Sequence, residues 1–196
     1  MLPTYDSLKG CITKTFVLGE PVGPDSFCAQ ISETNDTVTV QSGGGKSDDG
    51  LWVPYMSQKA IWGEAKSGKE KWAGSGPFSG CILDVGVNNG NLCVAHLSQE
   101  SGSQAVAEWR KKPEAQLGTH RRWKVSFKKE LQLKWPATHV FLTWKEGIKD
   151  LGNDLKVVVV FVQTQTMGGA NGTILEVWEP LAKNVQSEYA TFEQAQ

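Results

Sequence analysis

The sequence predicts an α+β fold: a sandwich of two mixed β-sheets, with peripheral helices and long loops, that forms a single domain over residues 1–196. The 21 glycines and eight tryptophans are typical of a turn-rich, strand-rich fold with aromatic packing. Leu155–Gln165 contains a continuous apolar, β-branched run, which indicates a central strand buried on both faces. In Thr37–Gln41, polar and apolar residues alternate, as in a half-buried strand. No linker or internal repeat divides the chain.

The elements follow from local pattern, and we expect about nine strands and one or two helices. Turn-forming Gly, Pro, Asn and Asp residues separate the apolar runs. A helix begins near Ser103, which can cap it, and Pro113 stops it. The remaining predicted elements are a short helix over 6–14, strands Thr15–Leu18, Phe27–Ser32, Thr37–Gln41, Leu51–Tyr55, Arg122–Phe127, Thr138–Trp144 and Thr173–Trp178, a tight loop Ala73–Pro77, and a loosely held polar tail from Ala182.

Charge and composition argue against several classes of function. The formal net charge of −1 and the pI of about 6.3 do not favour binding to nucleic acid or to an anionic membrane. No run of about 18 apolar residues suggests a transmembrane helix. Residues 1–10 lack the pattern of a secretory signal peptide, so any export would use another route, or the protein works in the cytosol where it is made. We also expect a soluble protein and a monomer. The four cysteines show no disulfide or metal-ligand spacing, and no cofactor is expected.

The most informative stretch is Phe78–Leu97, which is predicted to be a β-hairpin turning at Asn88-Asn89-Gly90. If the loop is Asn88-Asn89, Cys81 lies directly opposite His96; if it is Asn89-Gly90, His96 faces Leu83 and Cys81 is one diagonal step away. Directly opposed Cβ atoms are ~5 Å apart and diagonal ones ~7–8 Å, so a thiol and an imidazole can meet in either case. A three-residue loop without a bulge would separate them.

A thiol and an imidazole at the end of an apolar strand face indicate a cysteine nucleophile with its base. Cys93 has the opposite parity and points to the other face. The alternative is that Cys81 is a small buried hydrophobe and His96 a core histidine.

Ser79-Gly80-Cys81, followed fifteen residues later by His96, resembles the glutamine-deamidating toxins. This family includes Burkholderia lethal factor and the catalytic domain of cytotoxic necrotizing factor, with the chemoreceptor deamidase CheD as a more distant relative. Two supporting patterns are similar to the lethal factor: the strand Leu51–Tyr55 upstream of the motif, and Trp109-Arg110-Lys111 downstream of the histidine. Phe78 departs from the leucine that commonly precedes the motif.

The resemblance implies a catalytic Cys81 and His96, with Ser75 at the family's third site position, where threonine is frequent. It also implies that Ser79 and Gly80 help to bind the substrate and the oxyanion. The activity would be conversion of a protein glutamine to glutamate and ammonia through a thioester. The implied protein is a virulence toxin or effector, made in a bacterial cytoplasm and exported or delivered into a host cell. Its host target would be a protein such as a translation-initiation helicase or a Rho-type GTPase.

For this chemistry we expect a His96 imidazolium to lower the pKa of Cys81 from ~8.5, so that much of the thiol is thiolate at neutral pH. Backbone N–H groups near Gly80 and Cys81 are the candidate oxyanion donors.

Two other functions are compatible with the sequence. One is a cysteine hydrolase or peptidase of other specificity, which would use the same pair of residues. The other is a non-enzymatic β-sandwich binding module that presents exposed tryptophans. The basic stretch His120–Lys129 could grip an acidic partner, although a solvated strand face is the favoured interpretation.

Overall fold

The structure is a computed structural model and describes residues 1–19, 24–43, 49–66, 68–116, 118–128, 133–167, 169–182 and 186–196. Strands hold 50% of the chain and helices 8%, so the fold is a β-rich α+β fold. The helices are α1 (Tyr5–Lys9), α2 (Ala105–Arg110) and α3 (Pro113–Gln116). The strands are β1 (Thr15–Leu18), β2 (Phe27–Glu33), β3 (Thr37–Ser42), β4 (Gly50–Pro54), β5 (Ala60–Ala65), β6 (Trp72–Phe78), β7 (Ile82–Asn88), β8 (Asn91–Leu97), β9 (Thr119–Phe127), β10 (Pro136–Trp144), β11 (Leu155–Thr164), β12 (Gly172–Trp178) and β13 (Ala190–Gln194).

Eight strands form a closed barrel in the order β1-β12-β11-β10-β6-β4-β2-β3. The barrel closes where β1 runs parallel to β3, with Phe16 opposite Val38. An eight-stranded barrel has an interior just wide enough to be filled by side chains. Here buried aromatic rings fill it, among them those of Phe16, Trp52, Trp72 and Phe141.

The other five strands form an antiparallel sheet in the order β13-β9-β7-β8-β5. Leu83, Val85 and Val94 of this sheet belong to the same apolar cluster as Val140 and Val159 of the barrel, so one face of the sheet packs on the outside of the barrel. The opposite face is covered by α2 and α3. The molecule therefore has three layers: a barrel, a sheet and a pair of short helices.

The predicted sandwich is wrong in one respect, because one of its two sheets closes on itself. The alternation of polar and apolar residues in Thr37–Gln41 predicts a strand correctly, and β3 pairs with β2 as an antiparallel hairpin. Closure depends instead on the long-range parallel pairing of β1 with β3, for which no short motif exists. The sheets also differ from the predicted pair of mixed sheets, since only the barrel contains parallel pairs.

The predicted loop Ala73–Pro77 is also wrong, since these residues lie within β6, between β10 and β4. Its small residues make room for rings and do not form a turn. A Cβ atom on Gly74 would lie 2.7 Å from the Trp52 ring, and one on Gly76 would lie 2.4 Å from His139 Nδ1. Close packing against aromatic side chains therefore explains a composition that otherwise indicates a loop.

The polar tail is likewise better ordered than expected, because β13 pairs with β9 over five residues. In the second half of the chain, the predicted strands coincide closely with β9, β10, β11 and β12. The structure describes 13 strands and three helices, compared with the nine strands and one or two helices expected.

Candidate functional site

The hairpin formed by β7 and β8 turns at Asn89-Gly90, with Asn88 opposite Asn91. Asn89 has φ of 51° and Gly90 has φ of 81°, and positive φ at both positions is what a type I′ turn requires. His96 therefore faces Leu83, which is the second of the two registers considered for this hairpin. Cys81 precedes β7 and lies one diagonal step from His96.

Cys81 and His96 share a face of the sheet. Cys81 and Leu83 both belong to the apolar cluster between the sheet and the barrel. Cys93 instead belongs to the cluster under the helices, with Trp109. Burial raises the pKa of the Cys93 thiol to about 12. The predicted opposite orientation of the two cysteines is thus confirmed by their packing.

A β-bulge presents Cys81. Gly80 N–H donates to the Val125 carbonyl at 2.9 Å, and Val125 N–H donates to the Cys81 carbonyl at 3.0 Å, so two residues oppose one. Gly80 has φ of 122°, a conformation that L side chains rarely adopt. Of the two predicted oxyanion donors, Gly80 N–H is therefore already engaged. The Cys81 N–H donates to no residue in the described part of the chain, and it remains available to a ligand.

Ser75 fixes the tautomer of His96. The Ser75 hydroxyl donates its single proton to the Val53 carbonyl, at 2.7 Å. Its oxygen lies 2.9 Å from His96 Nδ1, so the hydroxyl can only accept there, and Nδ1 must carry the ring proton. His96 Nε2 then has an unprotonated lone pair, and it has no hydrogen-bond partner within the described residues. A bare, unpartnered Nε2 is the arrangement that a general base needs.

Two aromatic residues hold the imidazole ring. Phe78 stacks on His96, with centroids 3.9 Å apart and ring planes at 5°, and the Tyr55 ring lies 5.4 Å away. The histidine is 1% exposed. Burial lowers its pKa to about 3, helped slightly by His139, so the ring is neutral at neutral pH. Phe78 thus makes a packing contact at the position where the toxins that the motif resembles commonly have leucine.

Cys81 is 5% exposed and lines a cleft of about 750 Å³. Burial, the largest cause, raises the pKa of its thiol above the ordinary value; the negative charge of Glu100 adds to this, while backbone groups of Gln99 and Ser79 oppose it. The expected thiolate–imidazolium pair is therefore wrong for the resting site. Both groups are neutral, because burial disfavours charge on each of them.

The cleft brings together the predicted residues Ser79, Gly80 and Cys81 with residues that sequence reasoning missed. The missed lining residues are Tyr55, Gln99, Glu100, Thr191 and Glu193, and the basic stretch contributes Lys124, Ser126, Phe127 and Lys128. Ser75 and His96 are buried, contact each other and are not among the residues that line the cleft. Tyr55 could have been suspected, because it ends the Leu51–Tyr55 pattern that is similar to the lethal factor. The residues of β13 could not, because the tail was expected to be loose.

The basic stretch is not simply a solvated strand face. His120 Nδ1 lies 2.8 Å from one Asp84 oxygen, and Arg122 Nε donates to the other at 2.7 Å. Trp109 Nε1 also donates to Asp84, at 2.7 Å. Burial would raise the pKa of Asp84, but these three partners outweigh it and lower the value. The network fastens α2 to the sheet, on the face opposite Cys81. Lys129 lies outside the described residues.

Five of the eight tryptophans are buried and the other three are half-buried. The non-enzymatic alternative expected exposed tryptophans, and none of the eight is in that class. Within the described ranges, no group of three or more His, Cys, Asp or Glu side chains could hold a metal ion. No helix in the same ranges combines the length and the apolar character needed to cross a bilayer.

No family model matches the sequence, and comparison with curated proteins finds no match. The likeness to the glutamine-deamidating toxins therefore rests on Ser79-Gly80-Cys81, His96 and Ser75.

Proposed function

We propose that the protein is a cysteine-dependent protein glutamine deamidase with Cys81 as nucleophile and His96 as general base and acid. One observation carries the proposal: His96 presents a bare Nε2, fixed by Ser75, on the same sheet face as a thiol that opens onto a cleft. The position of Ser75 supports the carry-over from the toxin family, because its hydroxyl contacts the histidine.

The reaction begins from two neutral groups. The Cys81 sulfur attacks the side-chain carbonyl carbon of a glutamine while the thiol proton passes to His96 Nε2. The two groups form no hydrogen bond in the free protein, which is common before a substrate tightens a site. Transferring the proton as the carbon–sulfur bond forms avoids a buried thiolate with no partner. The mechanism therefore needs no resting ion pair.

The oxyanion that forms on the carbonyl oxygen accepts a hydrogen bond from Cys81 N–H. Such a donor, fixed before the substrate arrives, stabilises charge that develops only in the transition state. His96 then gives its proton to the amide nitrogen, the carbon–nitrogen bond breaks and ammonia leaves a thioester. Water attacks the thioester and gives a proton to His96, the carbon–sulfur bond breaks, and the thiol regains its proton as glutamate departs.

The substrate is a glutamine on a protein surface, and the cleft of about 750 Å³ has room for the side chain and its flanking residues. By resemblance, we propose that the protein is a toxin or effector and that its target is a host translation-initiation helicase or a Rho-type GTPase.

The test is incubation of the purified protein with each candidate target, followed by intact-mass measurement and peptide mapping. The expected result is the mass gain of one amide-to-acid conversion at a single glutamine. Cys81→Ser, which keeps size and polarity at the site, should give no gain. Cleavage of a peptide bond would select the hydrolase alternative instead, and no change on either target with a folded, thiol-reactive protein would count against the proposal.

A further inference from the structure

The cleft that Cys81 lines is also lined by the carboxylate of Glu100, which is held in place by hydrogen bonds. This residue lies three positions after the end of β8 and is exposed. Its side chain is nevertheless held by three donors: the Tyr55 hydroxyl, the Ser57 hydroxyl at 2.5 Å and the Gln58 amide at 3.4 Å. An exposed glutamate without a role usually has a mobile side chain, because fixing it costs rotamer entropy.

These contacts hold the negative charge of Glu100 in one place. An ionised carboxylate accepts at about four lone-pair sites and donates nothing. The three side-chain donors, together with the Gln58 backbone N–H, occupy these sites. Hydrogen bonds from Ser57 and Tyr55 also lower the pKa of Glu100, so the group is fully ionised at neutral pH.

The charge of Glu100 is not neutralised by an ion pair, since Glu100 forms no salt bridge among the described residues. The cleft lining also contains Glu193, Lys124 and Lys128, so its formal charges balance and any effect of Glu100 must be local. Glu100 and Cys81 line the same cleft, and the negative charge of Glu100 contributes to the raised pKa of the thiol.

We propose that Glu100 selects a neutral carboxamide and rejects a carboxylate at Cys81, an inference that depends on the proposed deamidase function. The NH₂ group of a glutamine side chain is neutral overall and carries partial positive charge, so Glu100 tolerates it while the carbonyl oxygen accepts from Cys81 N–H. The glutamate product has no NH₂ group and carries a negative charge, so Glu100 repels it. The negative charge of Glu100 would thus favour both binding of the glutamine substrate and release of the glutamate product.

This proposal can be tested without a known target, by comparing two alkylating reagents. Iodoacetamide and iodoacetate differ as glutamine and glutamate do, by an amide in place of a carboxylate. Both react with the thiolate, so the ratio of their rates at Cys81 cancels any change in thiol ionisation. The ratio is measured by peptide mapping on the folded protein and compared with that for N-acetylcysteine.

We expect Cys81 to disfavour iodoacetate by roughly threefold or more relative to N-acetylcysteine, and added salt to reduce this preference. Glu100→Gln keeps the size and the contacts with Tyr55 and Ser57 but removes the charge, and it should bring the ratio close to that of N-acetylcysteine. Glu193→Gln is the matched control, since it removes a carboxylate from the same cleft beside Lys124, and it should change the ratio much less.

An unchanged ratio in Glu100→Gln would overturn the proposal, as would an equal effect of Glu193→Gln. If Glu100→Gln accelerated both reagents equally, Glu100 would act only on the ionisation of the thiol, and the proposed discrimination would again be wrong. These outcomes are distinct from failure of the deamidase proposal, which would appear as a discriminating cleft that converts no glutamine in any target.

Discussion

The Ser75 hydroxyl oxygen lies 2.9 Å from His96 Nδ1 and donates its own proton to the Val53 carbonyl at 2.7 Å. These two hydrogen bonds connect three strands, because Val53 belongs to β4, Ser75 to β6 and His96 to β8. The first two are neighbouring barrel strands, and the third belongs to the five-stranded sheet. The packing of sheet on barrel therefore determines which nitrogen of His96 is free to act.

Ser75→Ala should lower the rate of deamidation by about tenfold or more, because His96 loses the group that holds its ring proton on Nδ1. The same change leaves a buried N–H without an acceptor and should lower the free energy of unfolding by roughly 1–3 kcal/mol. Urea denaturation measures the second effect, and turnover of the identified target measures the first.

Ser75→Thr is the matched control, because it keeps the hydroxyl that bonds both Val53 and His96. Its activity should stay well above that of Ser75→Ala, even if the added methyl group costs some stability at this buried position. Equal activity in Ser75→Ala and the parent protein would show that the hydroxyl does not position the imidazole.

The ionisation of Cys81 gives a second prediction. Burial raises the pKa of its thiol above 9.0, so the rate of iodoacetamide alkylation should climb through neutral pH, with a midpoint on the alkaline side of that value. Peptide mapping across a pH series isolates Cys81 from the other three cysteines. A rate that is already level at about pH 5 would indicate a preformed thiolate–imidazolium pair.

The β7–β8 hairpin could be predicted from the sequence, but the elements that pack around it could not. Apolar runs around an Asn-Gly turn determine strand parity, and parity places Cys81 and His96 on one face and Cys93 on the other. Side chains alternate between the two faces of a strand with a period of two residues, so this arrangement can be predicted without knowing the tertiary structure. The family resemblance supplied Ser75, although the residue was expected in a loop and lies in a central barrel strand.

The missed residues share a physical cause, which is that their placement depends on non-local pairing. Glu193 reaches the cleft only because β13 pairs with β9, and no pattern in the polar tail predicts that partner. Glu100 becomes a fixed group only through Tyr55 and Ser57, which lie over forty residues earlier in the chain. The resting protonation of Cys81 was missed for a similar reason, since it depends on burial created by the barrel.

Two buried histidines make the protein sensitive to acid, which is the third prediction. Burial lowers the pKa of His96 to about 3 and that of His139 to about 4, both from 6.5. Between these values and 6.5 the unfolded chain binds more protons than the folded one, so stability falls as the pH falls below 6.5. Going from pH 7 to pH 5 should cost about 2 kcal/mol of unfolding free energy per histidine.

Urea denaturation at the two pH values measures this loss, and His139→Phe provides the comparison. His139 packs against the rings of Phe16 and Trp52 inside the barrel, so phenylalanine suits its surroundings, although the hydrogen bond to the Ala170 carbonyl is lost. The variant should lose about half of the pH dependence. The same pH dependence in both proteins would show that His139 titrates normally in the folded state.

Asp84 provides a test that separates folding from the site, because its network lies on the other face of the same strand. Asp84→Ala would leave Trp109, Arg122 and His120 without their shared partner, and breaking a network centred on a buried carboxylate should cost about 3–5 kcal/mol. Urea denaturation measures this loss.

In the fraction of the Asp84→Ala variant that remains folded, the ratio of iodoacetamide to iodoacetate rates at Cys81 should match that of the parent protein, because Leu83 and the hairpin register are unchanged. A shifted ratio would mean that the Asp84 network and the cleft are coupled through β7, whereas a cost below about 1 kcal/mol would mean that the buried charges find other partners.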